Sequence, residues 1–266
     1  MDFTNKTVLI TGASRGIGAE SARAFAAKGA NVALLARGKD AIEALSAEIG
    51  ATAIALPCDV ASYTDVAAAV QTSVDTFGGL DVLINNAGVL KTPQTITAGG
   101  YDIRFVVNTI APYLLAKRLL PMMDGAGRIV NLSSAAQAPV DLSALAGKTR
   151  LGDMPAYSQS KLAITMWSRI MAESLPNGPL VVSVNPGSLL ATNMVKEGFG
   201  ISGNDIGIGS GILRRAALSD EFEGKSGAYF DNDAGDFGPP HPDAMDDVKA
   251  KAVVAAIEAV LAGAGV

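Results

Sequence analysis

The chain has 266 residues, 49% hydrophobic and 18% charged, which is enough apolar material for a buried core and excludes a disordered chain. Its formal charge is 21 − 26 = −5 with no basic stripe, so neither nucleic acid nor anionic membrane is expected as a partner. The one cysteine, Cys58, can close no intrachain disulfide and fits a reducing compartment. The opening MDFTNKTVLI has neither a positive n-region nor a long apolar stretch, and no run approaches the roughly 20 apolar residues that span a bilayer, so a cytoplasmic protein is expected.

In chain order, short apolar runs alternate with runs at helical spacing. TVLIT, NVALLA, TAIALP, LDVLIN, GRIVNLS, LVVSVN and GAYF read as strands. GAESARAFAAKG, KDAIEALSAEIG and TDVAAAVQTSVDTFG between them read as helices, and VVAAIEAVLAGAGV as a last packed helix. The strands are apolar almost throughout, as expected of parallel strands buried on both faces. Repeated strand–helix–strand units predict a doubly wound, seven-stranded, mainly parallel α/β sheet of the Rossmann type with helices on both faces. No linker or low-complexity tract divides it, so residues 1–266 are expected to form a single domain. Two regions break the rhythm. Residues 135–155 lack clear periodicity, and 196–211 carry glycines at 198, 200, 203, 207, 209 and 211. Both leave the C-terminal ends of strands, where the crevice of such sheets lies. They are expected to be pocket wall and lid within the substrate loops 135–155 and 188–211, with ordinary surface loops as the alternative.

The first loop, TGASRGIG, has a strand before it and a helix after it. Glycines there let backbone approach a pyrophosphate, and the helix N-terminus offers free N–H groups and the positive end of its dipole. Gly12, Ser14, Arg15, Gly16, Ile17 and Gly18 are the candidate contacts. An NAD site places Asp or Glu at the end of the second strand to hold the ribose 2′-OH. This strand ends in Ala36 and Arg37 instead. A guanidinium pairs with a 2′-phosphate that a carboxylate would repel, so Arg37 and Arg15 together favour NADP(H).

The ordered set TGASRGIG, CDV (58–60), NNAG (85–88), VVNTIAPYLLAK (106–117), IVNLSS (129–134), YSQSK (157–161) and NPG (185–187) resembles the short-chain dehydrogenase/reductase family in its compact single-domain form. The resemblance covers nearly the whole chain. It implies that Asp59 bonds the adenine edge with Val60 beside it, and that Asn86, Ala87 and Gly88 line a ribose. It implies further that Ser134 holds the substrate oxygen, Tyr157 transfers the proton, Lys161 binds the nicotinamide ribose and Asn108 completes the set through water. Pro186 and Gly187 would wall the nicotinamide. The family's threonine four residues beyond that glycine falls on Ala191, which leaves Thr192, one later, as the candidate. A homo-oligomer, dimer or tetramer, is also implied, with the 135–155 insert able to alter the helix faces used for it.

Elementary chemistry supports this constellation. Tyr157 and Lys161 are i and i+4 on a predicted helix and point the same way. A tyrosine pKa near 10 must fall by about 3 units to act near neutral pH, and an ammonium within about 4–6 Å is expected to supply one to three of them. An oxidised nicotinamide, itself cationic, would add to it. Ser133 and Ser134 alternate on a strand end, so one of the two faces the ligand; the family pattern favours Ser134. Asn108 lies in a helix where Pro112 removes the N–H that would bond its carbonyl, leaving that carbonyl for a water or an ordinary kink.

The spacing 157 − 134 = 23 is longer than in many compact members of the family. The insert LSALAGKTRLGD and the tail GKSGAYFDNDAG resemble the retinol-dehydrogenase-like and protochlorophyllide-reductase-like branches, which implies a larger apolar substrate. His241, the only histidine, has no cluster of metal-ligand spacing around it, and no metal is expected. Cys58, Met166, Trp167 and Met171 read as core. The expected activity is NADP(H)-dependent hydride transfer between the nicotinamide and a small-molecule carbonyl or secondary alcohol, in the direction of reduction. The alternative is a catalytically weak or inactive nucleotide-binding sensor or scaffold of the same family.

Overall fold

In the computed structural model, which describes residues 3–266 (Phe199 by its backbone alone), the first strand β1 (Thr7–Thr11) is buried along its whole length. It pairs in parallel with β2 (Asn31–Ala36) on one side and β4 (Val82–Asn85) on the other, Val8 lying opposite both Val32 and Val82. The chain runs outward through β2 to β3 (Ala53–Pro57), then crosses back to β4 and continues to β5 (Arg128–Leu132), β6 (Leu180–Asn185) and β7 (Tyr229–Asp231). The order is thus β3-β2-β1-β4-β5-β6-β7, reversing direction between β1 and β4. A crevice opens above the C-terminal strand ends at such a reversal.

The sheet has eight strands where seven are expected. β8 (Asp236–Phe237) returns antiparallel on the outer edge, with Phe230 opposite Phe237. Two residues are too short to leave a periodic signal. The tertiary fold makes the strand: a turn closed by Gly235 N–H on the Asp231 carbonyl at 2.8 Å, and the Phe237 ring 5.0 Å from both Phe222 and Phe230.

Successive residues of each strand feed opposite cores, as the pleat requires. Val8 and Ile10 pack under α1 (Gly16–Ala26), α2 (Lys39–Ile49) and, later in the chain, α9 (Ile206–Leu218). Leu9 packs on the other face with α3 (Tyr63–Phe77), then α4 (Ile103–Phe105), α5 (Ala111–Leu119) and α7 (Asp153–Glu173). α10 (Asp247–Gly263) lies outside α7, where Ile257 and Leu261 close that core and Glu258 bonds Lys117 and the Tyr113 hydroxyl.

Both irregular regions fold differently from the expectation. Within 135–155, residues Leu142–Leu145 form a short helix, α6, capped by Asp141, with Ala144 and Leu145 buried beneath α10. Arg150 donates to the Gly100 carbonyl at 2.8 Å. Most of the insert is therefore a lateral buttress, and only Ala135, Ala136 and Met154 reach the cleft. The 196–211 region is no continuous lid. Its first residues finish α8 (Asn193–Phe199), and Gly207, Gly209 and Gly211 belong to α9. A Cβ on Gly209 would meet Leu190 at 2.7 Å and Ile17 at 3.2 Å, so this glycine lets α9 lie close on α1.

The start of α7 is held by a buried ion pair that the sequence does not announce. Arg104, 1% exposed, forms a two-pronged bond to Asp102 at 2.7 and 2.6 Å and also bonds Asp153, the first residue of α7. Those carboxylates hold its guanidinium above the ordinary arginine value, the Asp102 hydrogen bond contributing most. Removing one partner of such a pair strands the other in a medium that cannot solvate it. Arg104→Met is expected to cost about 3–5 kcal/mol of unfolding free energy in urea titration, whereas a loss below 1 kcal/mol would show that Asp102 finds water instead.

Candidate active site

After β1 the chain turns through residues 12–15 into α1. Gly12 takes φ +67, and a Cβ on it would stand 2.9 Å from the Ala87 Cα. On Gly18, in the first turn of α1, a Cβ would meet the Gly12 carbonyl at 2.4 Å and the Asn86 amide at 2.5 Å. These two glycines thus let the loop close against the end of β4. The Asn86 amide seals that contact by donating to the carbonyls of Thr11 at 2.8 Å and Gly12 at 3.2 Å. Gly16 is different: its open side faces across the cleft to Thr192, whose Cγ2 would be 3.6 Å from a Cβ there. Arg15 occupies the N-cap of α1 and makes no side-chain cap, and no acid stands in the first turn.

From this loop a cleft of about 940 Å³ runs along the strand ends. Gly12, Ser14, Arg15, Gly16 and Ile17 line one end with Arg37, Asp59 and Val60; Asn86, Ala87 and Gly88 line the middle. Ser134, Tyr157, Lys161, Pro186 and Gly187 line the far end, and Thr192 lines the cleft opposite Gly16. Of the candidates, Gly18 and Asn108 stand behind the wall. Arg15 and Arg37 are exposed, and among the described residues neither has an ion-pair partner. Asp59 is turned inward on its own loop, accepting from Ala61 N–H at 3.0 Å while its own N–H donates to Asp65 at 3.2 Å.

At the far end, strand alternation separates the two serines. Ser133 is buried under α7, its hydroxyl donating to the Lys161 carbonyl at 3.0 Å and paired with Thr165 at 2.7 Å. Ser134 faces the cleft with Tyr157, and its hydroxyl accepts from Ala136 N–H at 3.1 Å. One turn along α7, the Lys161 ammonium donates to the Leu132 carbonyl at 2.6 Å. Gly88 adjoins this group, since a Cβ there would stand 3.7 Å from the Lys161 Nζ and 3.6 Å from Asn108 Oδ1.

Asn108 is fully buried, in a wider helical turn (Val106–Ile110) between α4 and α5. Its side chain is a bracket: Oδ1 accepts from Val89 N–H at 2.8 Å, and the amide donates to the Val89 carbonyl at 3.0 Å and to Ser160 Oγ at 2.9 Å. It thereby ties the loop after β4 to α7. A proline four residues on disturbs the helix as expected, and the helix absorbs it by widening.

The electrostatics depart from expectation. Burial pushes the Tyr157 phenol above its ordinary value, and the neighbouring Ser134 hydroxyl only partly offsets this. Burial lowers the Lys161 ammonium to about 8. The phenol is not drawn toward neutrality by Lys161, because Nζ is turned to the Leu132 carbonyl and stands 5.7 Å from the Tyr157 ring centre. Tyr157 as a residue is half-buried and lines the cleft.

Several supporting residues carried no sequence signal of their own. The Ser134 carbonyl accepts from Tyr229 OH at 3.1 Å and from the Gln137 amide at 2.9 Å, which fixes the turn that aims Ser134. Asp233 accepts from Ser188 N–H at 2.8 Å, Ser188 Oγ at 2.5 Å and the Asn185 amide at 2.9 Å, fixing the loop after β6. Thr192 caps α8 by accepting from Val195 N–H at 3.3 Å. His241 caps the turn before α10, accepting from Asp243 N–H. Cys58 is buried at the end of β3, its thiol pushed up to about 12 by burial.

Sheet order, uncapped first helix and serine–tyrosine–lysine cluster together define a dinucleotide-binding oxidoreductase fold. The sequence profile of the short chain dehydrogenase family matches residues 6–199. Ketoacyl reductase HetN of Nostoc sp. is 37% identical over 203 residues, 73% of this chain and 67% of its own length. Human retinol dehydrogenase 13 is 33% identical over 193 residues, 68% of this chain and 58% of its own, so the match spans less than two thirds of that relative. Among solved structures, a protein from Mycobacterium paratuberculosis is 27% identical with a TM-score of 0.79, covering 97% of this chain and 94% of its own. The 3-ketoacyl-(acyl-carrier-protein) reductase of Brucella melitensis, complexed with NADH, is 27% identical with a TM-score of 0.70, covering 86% and 97%. The chain belongs to the short-chain dehydrogenase/reductase family. Among the described residues, no helix is long and apolar enough to cross a membrane.

Burial of Lys161 has a thermodynamic signature. The folded chain holds that proton less tightly than the unfolded chain, whose lysine titrates near 10.5. Raising the pH through the window between about 8 and 10.5 therefore favours the fold. Across that window the native protein should gain stability relative to Lys161→Met by up to about 3 kcal/mol, read by denaturant unfolding. Parallel curves for the two proteins would mean the ammonium is not desolvated.

Proposed function

We propose that the chain is an NADP(H)-dependent oxidoreductase that moves hydride between the nicotinamide and a small carbonyl or secondary alcohol, with Tyr157 exchanging the proton. The observation that carries this reading is that Ser134, Tyr157 and Lys161 line one cleft together with the uncapped start of α1. The relatives named as a ketoacyl reductase and a retinol dehydrogenase support the same pair of functional groups.

The residues present fit a dinucleotide. The first turn of α1 offers N–H groups with no acid nearby, as an anion requires. Gly12, Ser14, Gly16 and Ile17 would hold the pyrophosphate, Asp59 and Val60 the adenine, and Ala87 and Gly88 a ribose. Asn86 would contribute through the loop that its amide pins, and Gly18 through the close turn it permits. Lys161, Pro186, Gly187 and Thr192 would hold the nicotinamide half. Arg15 at the N-cap of α1 and Arg37 just after β2, neither with an ion-pair partner among the described residues, would take a 2′-phosphate. The Brucella enzyme was solved with NADH; the NADP(H) assignment rests on these two arginines of this chain.

Bound there, the cofactor supplies hydride in one direction and accepts it in the other. Ser134 Oγ orients the substrate oxygen and stabilises its developing negative charge. Tyr157 OH gives that oxygen its proton as the carbonyl carbon is reduced. A phenol held protonated by burial is in the form that reduction needs. Lys161, charged at neutral pH with its value near 8, would hold the nicotinamide ribose while its ammonium stays bonded to the Leu132 carbonyl. Asn108 acts as a positioning residue by tying the loop after β4 to α7.

Two measurements test this. Tyr157→Phe should bind NADPH as the native protein does, followed by fluorescence titration, and lose roughly 100-fold or more in kcat across a ketone panel; retained turnover refutes the proton transfer. Arg37→Asp should shift the NADPH-to-NADH preference in kcat/KM by at least about tenfold toward NADH. An unmoved ratio removes Arg37 from the phosphate site.

A further inference from the structure

At the far end of the cleft, Leu189 holds a backbone conformation that a bulky residue avoids. Its φ is +54, in the left-handed region, and the residue is 42% exposed at the cleft wall. Such a conformation persists only where the surroundings impose it. Here they do so from both sides. Asp233 grips Ser188 through its N–H and hydroxyl, and the Asn204 amide donates to the Ser188 carbonyl at 3.1 Å. On the other flank, Asn204 N–H donates to the Leu189 carbonyl and the Asn204 carbonyl accepts from Ala191 N–H, both at 2.7 Å. Gly203 makes that approach possible: a Cβ on it would meet Ala191 N and Cα at 2.7 Å. Glycine or asparagine would occupy position 189 without strain. The fold instead spends free energy to present an isobutyl group to the cleft.

The walls around it match. Leu90, Met154, Met194 and Val195 line the cleft with it, and the charged side chain beside Tyr157 is Lys161, already bonded to the Leu132 carbonyl. The other charged lining residues, Arg15, Arg37 and Asp59, follow β1, β2 and β3. A carboxylate packed against these aliphatic side chains would shed water without a partner among them.

We propose that Leu189 is the specificity-determining residue of the cleft, held in place to pack on the uncharged aliphatic portion of a carbonyl substrate. The assignment rests on the oxidoreductase reading for the carbonyl, but the packing itself is measurable as binding.

The test compares butan-2-one, octan-2-one and 7-oxooctanoate with the native protein, Leu189→Asn and Leu189→Gly. Steady-state kinetics with NADPH would be paired with calorimetric titration of octan-2-one into the NADP+-loaded protein. The native protein should favour octan-2-one over butan-2-one at least tenfold in kcat/KM, and over 7-oxooctanoate by more than that. Both variants should cut the octanone-to-butanone ratio about five- to tenfold and weaken octan-2-one binding by a similar factor. Because both accept the left-handed backbone, their melting temperatures should equal or exceed the native value. Octan-2-one that binds, and binds less well to the variants, without any turnover supports Leu189 while removing the oxidoreductase reading. Turnover with an unmoved ratio overturns the Leu189 assignment and leaves the oxidoreductase reading intact. Absence of octan-2-one binding, a preference for 7-oxooctanoate, or variants that melt lower than the native protein also overturn the Leu189 assignment.

Discussion

One buried ammonium organises the cleft. Lys161 reaches the site from α7 with almost no exposure to water, and its proton is held by the Leu132 carbonyl at the end of β5. A charge in that position is tolerable only if the carbonyl stays aimed at it and the helix stays in register with the sheet. Much of the neighbouring architecture serves that alignment. Ser133 bonds the Lys161 carbonyl, Asn131 bonds Ser168, and Thr109 bonds the Ser160 carbonyl, so β5 and the widened helical turn both clamp the same stretch of α7.

The same burial explains the chemistry available to Tyr157. With the ammonium turned to Leu132, desolvation decides the state of the phenol and keeps its proton on. The proposed proton donor therefore rests in its acid form, and the energetic task of the site falls on stabilising the phenolate after transfer. Ser134 is aimed for that task by two bonds to its carbonyl, one from β7 and one from the Gln137 side chain. The proposed proton transfer would thus depend on β7, toward the edge of the sheet and well separated in sequence from Ser134 and Tyr157.

Arg104 and Asp233 extend this logic outward. The first fixes where α7 begins, through Asp153, and the second fixes the loop after β6 from which Leu189 projects. Each is a charge with bonds on several sides, and each converts a chain segment with little secondary structure into a defined wall. The insert after β5 supports α7 and α10 from the side, so its effect on the cleft runs through α7 more than through direct lining.

The parts legible from residues alone were those set by local physics. Seven apolar runs became strands at nearly their expected bounds, because burial on both faces leaves an unbroken apolar signal. The glycine turn, the missing acid after β2 and the i, i+4 spacing of Tyr157 and Lys161 are likewise properties of short segments. What required the folded chain was whatever depends on partners distant in sequence. The eighth strand exists through a phenylalanine cluster, and the glycines of α9 serve helix packing instead of a lid. Ser134 faces the cleft because Ser133 is taken up by α7. The phenol moves upward because solvent is excluded and its lysine is engaged elsewhere. Desolvation and strain of this kind are sums over three-dimensional neighbours, and no window of sequence contains them.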